Sequence, residues 1–516
     1  LMKNLFTRVS ATCILLLISA LSLFAQSGYW TDEGNYDISW YDKNQDEFHI
    51  TTAKQLAGLA YLTNSEIGIA DRNDYSIHNK VFYLDTDIDL SAHYWIPIYT
   101  CIAKKYVTSD QDIFDGQKHT VDGMKINLTA DNQNVYTKNL LFNSLSIGLF
   151  GEWEEVKNIT MGDHCDVYVG DTKIVENAKD LPVGVLGGKV TTVVSCVNNG
   201  VLTVEKDWLC DPSIPAGAGG LVGHCSKMID CVNNADIHVT FNHGNAGGLC
   251  GVGDVYNCIN RGVVQHQLKV QEIGWDVNIG GLAGKGSVVN SVNQGPVDSR
   301  CIGLWVGSNG AHISGLAFSS SILNSCNQGD VSIFSKNCAT GFLSGLSANY
   351  SFEKPVIANS YTSGKLNWVS AGGDSFSVFE IPASEYLNKV YYGFGSENQR
   401  ATEDIIPIKD MKDKGFLDIL NANLEWLDKT EYKHPEGGEY DKSIPFRKWV
   451  MGVNGLPEPT GEEYHGSTSE PPTGIHNVSS ETESANKGIY DLMGRRITKL
   501  PAGKIGIRNG KKYIGR

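Results

Sequence analysis

Proline is scarce. The 516-residue chain carries fifteen, against fifty-six glycines. Excess glycine without proline excludes the linker-like, disordered class and points to many tight turns in a β-rich fold. Cationic charge is short as well, with 43 lysines and arginines facing 58 acids for a formal charge of −15. Apart from the extreme C-terminus no basic patch breaks this balance. A nucleic-acid partner, whose phosphates must be neutralised, is therefore excluded. Acidity of this size speaks mainly for solubility. Beyond residue 25 no stretch is long and apolar enough to span a bilayer. The twelve cysteines contain no CxxC pair, and the eleven that follow residue 25 lack the spacing of a small disulfide scaffold.

What is present begins with "LMKNLFTRVSATCILLLISALSLFA" at positions 1–25. Lys3 and Arg8 precede an apolar run from Val9 to Phe24, which is the pattern of a secretory signal with cleavage between Ala25 and Gln26. This predicts export, to the cell surface or the extracellular space, with no membrane-spanning segment left after removal.

The most informative feature is a recurring word. "VGVLGGKVTTVVSCVNNG" starts at Val183, "AGGLVGHCSKMIDCVNNA" at Ala218, "AGGLCGVGDVYNCINRG" at Ala246, "IGGLAGKGSVVNSVNQG" at Ile279 and "ISGLAFSSSILNSCNQG" at Ile313. Weaker copies start at Ile147 and Thr340. The aligned leucines are Leu149, Leu186, Leu221, Leu249, Leu282, Leu316 and Leu343, separated by 27 (316 to 343) to 37 (149 to 186) residues. That is a solenoid period. Short alternating strands with glycine at the corners exclude helix and predict a parallel β-helix, right-handed by the crossover rule. The leucines then stack inward from coil to coil. Cys196, Cys231, Cys258, Ser291 and Ser325 share one small, buried position, where cysteine serves as a small hydrophobe. Asn198, Asn233, Asn260, Asn293 and Asn327 form a hydrogen-bonded column. The next column is Gly200, Ala235, Gly262, Gly295 and Gly329. It reads as a left-handed corner, at which Ala235 would cost about 1 kcal/mol.

Both ends need covers. Thr52 and Gln55 fit a capping box at the start of a short helix carrying Leu56, Leu59, Ala60 and Thr63 on one face. "IPIKDMKDKGFLDILN" is a second amphipathic stretch. The resulting organisation is a signal at 1–25, an N-terminal cap and first coils at 26–128, and the repeat β-helix at 129–370. Closing coils and a C-terminal cap follow at 371–460, then a polar linker at 461–487 and a small basic β module at 488–516.

Together, "GGLVG" with "NCINRG", preceded in order by "FHITTAKQLAGLAYL", "YLDTDIDLS", "WIPI", "FDGQKHTVDGMKI" and "GLFG", resemble the GLUG-repeat proteins over roughly 48–456. The resemblance implies a secreted bacterial β-helical protein of adhesin-like character. The tail "IYDLMGRRITKLPAGKIGIRNGKKY" resembles the C-terminal sorting domains of type IX secretion substrates, departing where an aromatic residue is expected at Ile505 or Gly506. GLUG repeats also accompany some metalloproteases, but this chain has no HExxH, so that activity does not carry over.

Four groups of residues are candidates for chemistry. Asp85, Asp87 and Asp89 alternate in "LDTDIDLS", but Leu90 stands where a calcium loop needs glycine; the alternation reads as a strand with carboxylates on its solvent side. His224, His238, His243 and His266 fall at dissimilar repeat positions and read as solvated loop residues. Asp163, Asp166, Asp254 and Asp276 are candidate catalytic carboxylates for a polysaccharide lyase or glycosidase, yet their phases in the repeat differ. Trp208 and Trp275, in insertions between repeats, are the candidate binding residues. No catalytic residue, metal or cofactor is assigned. The expected function is non-catalytic binding of a glycan or a surface protein, with a carbohydrate-active enzyme and a passive stalk as alternatives.

Overall fold

A computed structural model gives the fold. It describes residues 28–64, 79–99, 112–137, 145–170, 181–205, 217–268, 277–302, 311–318, 321–336, 341–346, 356–372, 376–378, 387–393, 405–429, 441 and 443–466, together with the tail strands 489–490, 496–497, 505–508 and 511–514. Ala25, Gln26, Trp208, Trp275, Cys210 and Asp276 lie outside these residues.

Each repeat makes one coil of a parallel β-solenoid, and its strands fall into three faces. Face I contains seven strands, among them Gly217–Gly219, Gly244–Gly247, Val277–Gly280 and Ala311–Ser314. Face II is built from the longer strands Phe150–Lys157, Gly187–Val194, Val222–Ile229 and Cys250–Tyr256, each followed across a corner by a two-residue strand such as Val197–Asn198 or Val232–Asn233. Face III contains eight parallel strands, from Lys125–Leu128 through Asp166–Val169, Val201–Glu205, Ile237–Thr240, Val264–Gln267, Val297–Ile302 and Val331–Lys336 to Leu366–Ser370.

The interior is assembled from columns. Leu149, Leu186, Leu221, Leu249, Leu282 and Leu316 are fully buried, each contributing on the order of 1.5–3 kcal/mol. The column ends at Leu346 rather than Leu343. Leu316 N–H bonds Leu346 O at 3.1 Å, while Leu343 registers with Ile313 on face I. The misplacement arises because "FLSGL" offers two leucines three residues apart.

The asparagine column forms as expected. Asn198 Nδ2 donates to Asn233 Oδ1 at 2.8 Å, Asn233 to Asn260 at 2.8 Å, Asn260 to Asn293 at 2.9 Å and Asn293 to Asn327 at 2.8 Å. Each Nδ2 also reaches the carbonyl two residues on, as in Asn233 to Ala235 O at 2.8 Å. Asn327 closes the series on the Thr362 hydroxyl at 3.2 Å.

The left-handed corner lies elsewhere than expected. Gly200, Ala235, Gly262, Gly295 and Gly329 are absent from the positive-φ positions. One positive-φ position per coil instead falls at Asn158, Ser195, Asp230, Asn257, Asn290, Asn324 and Asn359, with φ between 46° and 56°. Short polar side chains tolerate that region. The glycines serve close approach: a Cβ on Gly262 would overlap Ala235 O, and a Cβ on Gly248 would overlap the Asn260 amide that crosses the interior toward it. The "GGL" word and the "N" of "CVNN" are thus two halves of one contact.

Ile159 follows Asn158, but from Ser195 onward the residue after each of these corners is a cysteine or serine. Its side chain accepts the N–H of its counterpart one coil earlier: Cys196 N to Cys231 Sγ at 3.4 Å, Cys231 N to Cys258 Sγ at 3.2 Å, Cys258 N to Ser291 Oγ at 3.0 Å. The side chain also donates back to the carbonyl two residues before it. The eight described cysteines are buried. Burial pushes the Cys196 and Cys231 thiols well up, so they are poor nucleophiles.

The helix Ala53–Asn64 opens with the anticipated box: Gln55 N–H donates to Thr52 Oγ1 at 3.2 Å, and Thr52 N–H to Gln55 Oε1 at 3.1 Å. Leu56, Leu59 and Ala60 are buried in the core. At the other end, residues 405–429 and 443–466 pack along the flank of face II. Leu424, Leu427 and Phe446 pack on Tyr256, Val289, Leu323 and Ala358, and Phe416, Leu420 and Trp449 pack on Val292, Cys326 and Tyr361. The corner asparagines bind this strap: Asn290 Nδ2 donates to Pro445 O at 2.9 Å, Asn324 Nδ2 to Arg447 O at 2.8 Å and Trp449 Nε1 to Asn324 Oδ1 at 2.6 Å. Ion pairs Lys227–Asp441 and Arg447–Asp230 hold its leading end. Residues 467–516 form a separate unit, whose four strands pair antiparallel.

Candidate binding face

The three faces differ in what reaches solvent. From Val183–Gly184 to Ala311–Ser314 the strands of face I are buried on both sides. Asn245, Asn278 and His312 project from its outer side, yet all are nearly inaccessible, and glycines of face II meet it so closely that a Cβ on Gly251 would lie 2.6 Å from Gly217 C. Face II lies under the strap from Tyr256 onward. Face III is open. Its strands alternate buried and accessible residues, as in Val297–Ile302 and Val264–Gln267.

Parallel pairing in register places equivalent residues in line along the axis. The central line of face III is Asn127, Tyr168, Thr203, His238, Gln265, Asp298, Ser332 and Asn367. A second line runs Glu205, Thr240, Gln267, Arg300, Phe334, Val369. Neighbours on these lines bond one another. His238 Nδ1 meets Gln265 Oε1 at 2.7 Å, Asn367 Nδ2 donates to Ser332 Oγ at 3.3 Å, and Tyr168 Oη donates to Glu205 Oε2 at 2.8 Å. That last bond raises the tyrosine pKa. The Arg300 guanidinium sits 5.4 Å from the centre of the Phe334 ring.

Beneath face III lies a buried polar chain. His266 Nε2 is 3.2 Å from Phe241 O, which can only accept, so that nitrogen carries the proton. Nδ1, 2.9 Å from Ser299 Oγ, then accepts from the hydroxyl. Ser299 Oγ in turn lies 3.6 Å from Cys301 Sγ. Burial lowers the His266 pKa to about 4. The expectation of solvated loop histidines therefore fails. His266 and His243 are buried, and His224, His238 and His266 lie on strands. A histidine on the inward side of a strand looks like a loop residue when neighbouring coils carry valine there, as Val204 and Val239 do.

The three described candidate carboxylates stand on different elements. Asp166 begins a face III strand, Asp254 lies on face II and accepts Ser287 N–H at 2.8 Å, and Asp163 stands in a turn. Asp163, His164 and Asp122 do cluster, their ligand-type atoms within 4.8 Å of one another. His164 Nδ1 is 2.8 Å from Asp122 Oδ2. That bond raises the His164 pKa, and the same imidazole holds the Asp122 pKa down against the effect of burial. In "LDTDIDLS" Leu84, Ile88 and Leu90 are buried while the three carboxylates face out. Asp85 binds His49 and Gln117, Asp87 binds His119 and Thr120 N–H, and Asp89 binds Ser91 N–H. Among the described residues no helix is long and apolar enough to cross a membrane.

The face III line was missed in the sequence, although a signal for it exists. Each member from Thr203 to Asn367 stands five residues after the buried column: 198 to 203, 233 to 238, 260 to 265, 293 to 298, 327 to 332 and 362 to 367. The architecture places the chain in the class of parallel β-solenoids. No family model, curated protein or solved structure matches it.

Proposed function

We propose that this is an exported, surface-located β-solenoid of the GLUG type that works by non-catalytic binding, with face III as the working surface. One observation carries the reading: of the three faces, I is buried and II is covered by the strap from Tyr256 onward, whereas III presents accessible residues on every strand from Lys125–Leu128 to Leu366–Ser370. The apolar start of the chain supports export. The tail sequence "IYDLMGRRI" followed by "GKKYI" supports a sorting role resembling that of type IX secretion substrates.

The test uses the full chain. Binding to a panel of polysaccharides and to surface-protein extracts is measured beside reducing-sugar release. Binding that is lost when face III residues are replaced, without turnover, is the expected result. Turnover of any polysaccharide would make the protein an enzyme. Absence of all binding would make it a passive stalk.

A further inference from the structure

Resting on that reading of face III, we infer that its ligand is an uncharged, extended polysaccharide lying along the solenoid axis over the line Asn127–Tyr168–Thr203–His238–Gln265–Asp298–Ser332–Asn367.

Charge is the first argument. The outward residues of the eight strands include three cations, Lys125, Arg300 and Lys336, and three anions, Asp166, Glu205 and Asp298, so the strands' outer side sums to zero. The chain as a whole carries −15. A neutral surface on an acidic protein gives a polyanion no counter-charge to displace, while the remaining field repels it. A polycation would bind the acidic remainder of the molecule in preference to this face.

The second argument is the kind of group displayed. Seven of the eight side chains in line are amide, hydroxyl, phenol or imidazole, able to donate and accept hydrogen bonds without charge when the imidazole is neutral. Sugar hydroxyls need that mixture. A protein partner would need either a desolvated apolar centre or free main-chain groups. The centre of the face has neither. Its exposed apolar side chains, Val201 and Val369, stand off the central line, and the six inner strands are paired on both sides.

Repeat geometry is the third argument. One polar group recurs at every coil, about 4.8 Å apart, for about 34 Å over seven steps. That spacing is close to the length of one sugar residue in an extended chain. A polymer laid along the axis therefore meets an equivalent group at each unit, whereas a branched or compact ligand meets only a few.

The experiment is affinity electrophoresis of the full chain in gels containing neutral glucans or chitin-type polymers, with polygalacturonate and alginate in parallel, followed by calorimetry with oligosaccharides of increasing length. Folding of each variant is confirmed by circular dichroism. We expect retardation by a neutral polymer and not by the anionic ones, with affinity rising until the oligomer spans the line. His238→Ala combined with Gln265→Ala should lose at least tenfold. Ser226→Ala, on exposed face II, should lose nothing. Absence of retardation by any neutral polymer, or retardation by the anionic ones alone, overturns the inference. A protein partner lost with the His238/Gln265 double variant overturns the ligand but keeps face III as the working surface. Polymer binding indifferent to that variant overturns both.

Discussion

Asn233 and Asn234 are adjacent, chemically identical and opposite in environment, so the pair tests the buried asparagine column with its own internal control. Asn233→Ala removes three hydrogen bonds at once: the one accepted from Asn198 Nδ2, and the two donated to Ala235 O and Asn260 Oδ1, each 2.8 Å long. Asn233 is fully buried, and so is Asn260. One N–H of Asn198, the Ala235 carbonyl and Asn260 Oδ1 then lose those partners. At about 1–3 kcal/mol for each buried unsatisfied group, and allowing for partial relaxation, the loss is about 3–6 kcal/mol. Asn234→Ala removes bonds to Asn199 and Arg261 that face solvent. Its cost should stay within about 0.5 kcal/mol. Urea unfolding followed by far-ultraviolet circular dichroism reads the difference as a shift in midpoint at constant slope. Equal midpoints for the two variants, or a larger loss from Asn234→Ala, would refute the claim that the column holds the coils in register. Asn233→Asp sharpens the test, since a carboxylate keeps the acceptor, loses both donors and buries a charge; it should be at least as damaging as alanine.

Further expectations follow from the other columns. His266 has a folded pKa of about 4 against 6.5 for the free group, so the unfolded chain takes up the proton first. The stability it helps hold is complete above pH 6.5, falls as pH drops toward 4 and then levels, by about 3 kcal/mol in all. His266→Leu should flatten that segment of a pH–stability curve even if it lowers the whole, and an unchanged slope would contradict the assignment. Cys231→Ser should cost within about 1 kcal/mol, because Ser291 and Ser325 already accept and donate the same bonds one and two coils beyond Cys258. Cys231→Ala should cost more, about 1–3 kcal/mol, by leaving Cys196 N–H without its acceptor; thermal melts under reducing conditions give the order, and alanine milder than serine would sink it. Gly262→Ala should prevent a normal fold through overlap with Ala235 O, whereas Ala235→Gly should gain nothing from backbone geometry, as Ala235 is not left-handed; a clear stabilisation by the latter would return the corner to the glycine column.

The solenoid was legible because its core repeats once per coil. A leucine, a small residue and an asparagine at fixed mutual spacing leave a periodic trace. Where two residue types satisfy the same local demand, the trace is ambiguous. Both glycine and asparagine suit positive φ, and the glycine column drew the corner five residues away, from Asp230 to Ala235 and from Asn257 to Gly262. The strap's amphipathic helix was legible in "IPIKDMKDKGFLDILN", but its docking along face II left no trace. Arg447 meets Asp230 across 217 residues and Trp449 meets Asn324 across 125, and such contacts are made once, by ordinary side chains, with no period to reveal them. Face III was hidden for the opposite reason. Its position is periodic, but the residues there vary from tyrosine to glutamine, and a variable outward residue reads as surface filler until its neighbours are seen in line.

From Asn198 to Asn327 the inner asparagines give five successive coils the same acceptor and the same donor for the next, and Thr362 stops the series with a hydroxyl. A coil is therefore an interchangeable unit: one can be duplicated or lost in the gene with the joints on either side still matching. Each such event lengthens or shortens the open face by one step of about 4.8 Å and leaves the chemistry of the remaining steps untouched. The molecule is built like a ruler, whose reach can be changed by counting coils without redesigning a pocket.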